Sequence, residues 1–168
     1  MSRSPGGEPD LTIAGLRLWV HRREFPEATD YWDGNWMVVT AECRAPDTII
    51  RVSGPILHLG ELTAFLGDCE QLHSTLAGQA ELDCAEPNLR VVLQVERRSQ
   101  VAVTVDITPD HLAQQHRLRF DLDQTHLPSI LTSCRELLVR YPIRAAPPRL
   151  DSPSGVPEDP RSGVRSSP

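Results

Sequence analysis

A chain of 168 residues with 39% hydrophobic content amounts to one domain and can bury a core without disulfides or metal. Its formal net charge of −6 argues against nucleic acid as the main partner, because phosphate contacts need a concentrated basic surface. No apolar stretch reaches the length of a membrane span and the opening MSRSPGGEPD has no apolar signal region, so no membrane association and a cytoplasmic location are expected.

In chain order, residues 1–10 are expected to be unstructured, and a folded body is expected to run from Leu11 to Arg144. A first strand covers Leu11 to His21, with Ala14-Gly15 as a bulge. The segment DYWDGNW, residues 30–36, then brings two of the chain's three tryptophans together with two carboxylates. Asp33-Gly34 is a tight-turn dipeptide, and the alternation Trp36, Val38, Thr40 begins a strand just after it. In this reading Trp32 and Trp36 pack near each other across the turn and Asn35 ties down backbone amides. Further strands follow at Trp36 to Arg44 and Thr48 to Ser53.

A helical period next links Leu59, Leu62, Leu66, Cys69, His73 and Leu76, with Gly78 as its stop. Strands are expected at Gln79 to Asp83, Leu89 to Val95, Val101 to Ile107 and Arg117 to Leu122, each alternating apolar with polar residues. The closing helix carries the stripe Leu127, Ile130, Leu131, Cys134, Leu137, Leu138 and Tyr141, capped by Asp123 or Thr125, with Pro128 in its first turn and Pro142 after it. Residues 145–168 hold six of the fifteen prolines and little that can pack, so they are expected to be a disordered tail. The sum is an α+β domain, an antiparallel sheet of about seven strands with two amphipathic helices on one face. The other face would expose Arg90, Gln94, Glu96, Thr104, Asp106, Arg117, Arg119 and Asp121.

Chemistry-bearing patterns are sparse. The four cysteines are widely separated with no CxxC spacing, which reads as buried reduced thiols. His111 and His116 are five apart and fall on different helix faces; the default for all six histidines is packing or solvation, and no metal is expected. DYWDGNW fails as a calcium loop, since Trp32 stands at its third position and Ala41 at its twelfth. Serine nucleophile elbows, phosphate-binding glycine loops and HExxH are absent, so no cofactor is expected. An enzyme working from Asp30, Asp33 and Glu86 would need all three in one deep pocket.

Three short motifs occur in order: Asp33-Gly34-Asn35-Trp36 before an apolar strand, Glu86-Pro87-Asn88-Leu89 in mid-chain, and Tyr141-Pro142-Ile143-Arg144 after the closing helix. In these the chain resembles the WapI-type immunity proteins, a bacterial family, over residues 11–144. The resemblance implies a non-catalytic protein that binds and neutralises a cognate toxin domain. Aromatic anchors favour interface centres and carboxylates suit a basic partner, so Asp30, Trp32 and Asp33 are the expected partner-binding residues. Asn35, Trp36, Glu86, Pro87 and Asn88 are expected to hold the fold. The alternative is a binding or scaffold domain for another protein or a small-molecule ligand.

Overall fold

The computed structural model describes residues 6–96 and 100–148. Its strands form two four-stranded antiparallel meanders, β1–β4 and β5–β8, rather than one sheet. The first comprises β1 (Leu11–Ile13), β2 (Leu16–Arg23), β3 (Trp36–Ala45) and β4 (Thr48–His58). Helix α1 (Leu59–Thr75) connects it to β5 (Gln79–Asp83), β6 (Leu89–Val95), β7 (Gln100–Ile107) and β8 (Arg117–Asp123), after which α2 (Leu127–Arg140) closes the domain. The α+β class and the antiparallel pairing are as expected; eight strands replace about seven.

The added strand comes from Ala14-Gly15. These two residues are a hairpin turn and not a bulge, because Ile13 pairs with Leu16 across them and Ala14 takes a left-handed φ of 51°. Gly15 is needed for space: a Cβ there would collide with the Arg44 carbonyl and the Phe120 ring of β8.

The inner faces of both sheets and one face of each helix share a single core. In sheet 2 the alternation places Leu82, Val91, Val105 and Leu118 in one inward row and Ala80, Leu93, Val103 and Phe120 in the next. Helix α2 buries Leu127, Ile130, Leu131, Cys134 and Leu137, the stripe its period predicts. Helix α1 buries Leu59, Leu62, Phe65, Cys69 and Leu72, so Phe65 and Leu72 take the places assigned to Leu66 and His73. Its last turn ends on a left-handed Leu76, whose N–H reaches the Leu72 carbonyl, two residues before Gly78.

Sheet 1 departs further from the sequence pattern. Met37, Val39, Ala41 and Cys43 are the core residues of β3, and Trp36, Val38 and Thr40 lie on its outer side. The expected alternation is thus out of phase by one residue. Thr40 and Glu42 are buried as well, so β3 carries little contrast between its faces. Of the N-terminal ten residues, 1–5 lie outside the described residues, whereas Gly7 accepts a hydrogen bond from Trp19 Nε1 (2.9 Å) and Asp10 accepts one from the Val20 amide (2.7 Å). Asp10 also pairs with Arg140 of α2 at 2.6 Å. The expected C-terminal tail lies outside the described residues from position 149 onward.

Candidate functional site

The DYWDGNW segment sits where β2, β3 and the end of α2 converge. Asp30 starts the local structure: its Oδ1 accepts the amides of Trp32 and Asp33, both at 2.9 Å, and turns the chain into one 3-10 turn over Asp33–Asn35. This is not a hairpin. Gly34 keeps an ordinary φ, and its small size is what matters, since a Cβ would lie 3.0 Å from the Ala28 carbonyl and 3.2 Å from the Arg144 side chain.

Asn35 is fully buried, and its amide joins two distant parts of the chain. Its Nδ2 donates to the carbonyls of Tyr31 (2.7 Å) and Arg144 (2.8 Å), and its Oδ1 accepts the Arg144 amide at 2.9 Å. Arg144 in turn donates from Nη1 to the carbonyls of Pro26 and Ala28, each at 2.6 Å. The third member is Arg23, which sequence reasoning missed. A bulge at His21 shifts the register of β2 so that Arg23 pairs with Met37 and turns inward, leaving it 9% exposed. Its guanidinium donates to the carbonyls of Gly34 and Pro142, both at 2.5 Å. Burial, and then the nearby Arg144 charge, holds the Arg23 pKa below its ordinary value. The DGNW and YPIR motifs are therefore two halves of one clasp.

His58 anchors the aromatic side of the loop. Its Nδ1 accepts the Gly60 amide (3.1 Å) at the start of α1, which leaves Nε2 to donate to the carbonyls of Tyr31 (3.1 Å) and Trp32 (3.2 Å). The rings of Tyr31, Trp32 and Trp36 surround it at 5.1, 5.9 and 5.3 Å. The two tryptophans thus meet through His58. Trp36 is half-buried, whereas Trp32 is 60% exposed, between the exposed Asp30 and Asp33.

Glu61 extends the structure to the mid-chain motif. One carboxylate oxygen accepts the His58 amide (3.0 Å) and the other the Ala85 amide (2.8 Å). Three residues on, Asn88 donates from Nδ2 to the Thr108 carbonyl (2.8 Å), and the Thr108 amide returns a bond to the Asn88 carbonyl (2.9 Å). Glu86 and Pro87 are exposed. No local pattern flags Arg23, His58 or Glu61 as site residues. The one available signal is the glutamate at the third helical position after His58, which marks a helix start.

Asp30, Asp33 and Glu86 do not line the cavity of about 630 Å³ that lies beside Cys84, Pro87, Thr108 and His111. The four cysteines are free and buried, and burial raises the thiol pKa, to about 11 for Cys43 and about 12 for Cys134. Among the described residues, no group of three or more His, Cys, Asp or Glu is placed to hold a metal ion, and no helix is long and apolar enough to cross a membrane.

Fold and loop together define an α+β domain that presents an aromatic side chain on a clasped loop. The chain belongs to the WapI-like immunity protein family, whose model matches residues 10–142. That span contains the DGNW and EPNL motifs and ends within the clasp, at Pro142. No curated protein is similar enough to the chain to count as a relative.

Proposed function

We propose that the protein is a non-catalytic immunity protein that acts in the cytoplasm by binding and neutralising a cognate bacterial toxin domain, with Trp32 as the anchor and Asp30 and Asp33 as its acidic flank. Family membership supports the toxin-neutralising role. The observation that carries the site is the contrast between the exposed Trp32 ring and the fixed backbone beneath it, held by Asp30, Asn35 and His58. A rigid aromatic side chain costs little entropy to immobilise, and few residue types contribute more at an interface centre. Asp33 makes no hydrogen bond or ion pair through its carboxylate among the described residues, so its charge is available to a basic partner. Asn35, Trp36 and Asn88 serve the fold in this reading, beneath the contact surface.

Trp32→Ala tests the proposal. Its melting behaviour should stay within about 1 kcal/mol of wild type, while affinity for the purified toxin domain falls by about 2 kcal/mol, roughly thirtyfold. Unfolding of the variant would make Trp32 a structural residue. Unchanged affinity would move the interface off this loop.

A further inference from the structure

A second apolar side chain is presented on a fixed loop. Leu112, 88% exposed, is the most exposed large apolar residue among those described, and it crowns the connection between β7 and β8. That connection is held in place. The Asp110 carboxylate accepts the Leu112 amide (3.0 Å), and the Asp110 carbonyl accepts the amides of Ala113 (3.3 Å) and Gln114 (2.8 Å). An exposed leucine on a loop tied down this way does nothing for the core.

Hydrogen bonds, together with the short stretches of chain 85–88 and 108–110, link Trp32 to this loop. The Trp32 carbonyl is bonded to His58, the His58 amide to Glu61, Glu61 to Ala85, and Asn88 to Thr108. Three loops and the start of α1 are thereby linked in series, with an exposed apolar side chain near each end and the cavity of about 630 Å³ beside Pro87, His111 and Leu112. Charge along these loops is one-sided. Asp33 and Glu86 have no cationic partner among the described residues, whereas the arginines that line the cavity, Arg90 and Arg117, are paired with Asp83 and Asp106.

We infer that these linked loops form one ridge through which the protein binds its partner, with Trp32 and Leu112 as two separate anchors, and that the occupant is a basic protein surface bearing two apolar sockets. This rests on the toxin-neutralising reading, and it adds a second contact, in the other sheet, to the first. A partner with a basic face is attracted by the unpaired carboxylates, and the two knobs then fix its orientation.

The probe is an inactivated toxin domain sought in a gene beside this chain's own, titrated against wild type, Leu112→Ser, Trp32→Ala and the double variant. Leu112→Ser should melt as wild type does and weaken binding about tenfold. The double variant should lose the product of the two single effects, about three-hundredfold, because distant anchors act independently. Glu86→Gln should slow association and flatten its dependence on salt. If Leu112→Ser binds as wild type while Trp32→Ala does not, the two-anchor ridge is overturned and the toxin reading stands. If the double variant is no weaker than Trp32→Ala, there is one anchor, and the ridge is again overturned. If wild type forms no complex, or no such gene is present, both readings fall together.

Discussion

The two sheets contain the same number of strands in the same meander order, yet their outer faces differ. In sheet 2 the outer face is solvated, and one row across it reads Asp83, Arg90, Asp106, Arg117, alternating in charge from strand to strand. In sheet 1 the corresponding face is covered along β3, while Arg17, Ile49 and Ser53 on the flanking strands stay exposed. Trp19, Thr40 and Glu42 are all buried there, Trp19 is bonded to Gly7, and Glu42, at 1% exposure, is held between Arg44 and Arg51. The difference shows that the centre of an outer face can be covered by its own long side chains and a short terminal segment, without a third layer. It also gives ion pairs of similar chemistry very different energetic weight in the two sheets.

The largest effect should come from opening the clasp at the edge of sheet 1. Asn35→Ala removes four hydrogen bonds and leaves the Arg144 amide and carbonyl without their partner, while the Tyr31 carbonyl keeps only the His58 donor. Losses of about 1–3 kcal/mol for each buried group left unsatisfied make about 3 kcal/mol or more the expected destabilisation, read by denaturant melts. A cost below about 1 kcal/mol would show that the loop is held mainly by Arg23 and His58. Trp36→Ala should cost less than a fully buried tryptophan would, since part of its surface already meets solvent.

Next comes the covered face itself. Burial pushes the Glu42 carboxyl up, but hydrogen bonds and charge from Arg51 and Arg44 pull it down further, so its folded pKa lies below the ordinary value of 4.5. A carboxylate depressed on folding stabilises the protein above its unfolded pKa, and that contribution is lost as pH falls through the folded one. Glu42→Gln should therefore cost about 2 kcal/mol at neutral pH, and the gap from wild type should narrow steadily below about pH 4.5. Chemical denaturation of both proteins between neutral and acid pH measures it. A gap that is constant with pH would assign the loss to shape and not to charge.

The same contrast explains what was legible in the sequence. A sheet with one wet face writes its register into the alternation, and β6, β7 and β8 could be read almost residue by residue. Where both faces are covered, as along β3, Trp36 to Cys43 shows no clear period, and the wrong phase was as plausible as the right one. The α2 stripe was readable for the reason sheet 2 was, because one side stays in water, whereas on α1 Phe65 and Leu72 are buried in place of Leu66 and His73. For the candidate site, DGNW and YPIR were visible as separate motifs, but the pairing of Asn35 with Arg144 spans 109 residues and leaves no local trace. Arg23 sits in HRRE, which reads as a solvated run, and only the bulge at His21 turns it inward. Leu112 was passed over because a single leucine in a polar loop carries no periodicity at all.

The smallest effect is expected on the open face, and it is the sharpest test of the comparison. Arg90 faces three carboxylates, Glu81 at 2.5 Å, Asp83 at 3.8 Å and Asp106 at 3.9 Å. Its side chain nevertheless keeps 43% of its surface in water, and solvated pairs gain little because water and salt screen the charges while the long side chains lose freedom. Arg90→Ala should shift stability by about 1 kcal/mol or less, and the shift should shrink further in high salt, whereas the cost of Glu42→Gln should persist there. Parallel urea melts of the two variants at low and high salt give the comparison directly. A loss at Arg90 equal to that at Glu42, or one that salt does not reduce, would mean that the alternating row is a structural brace, and that burial is not what separates the two sheets.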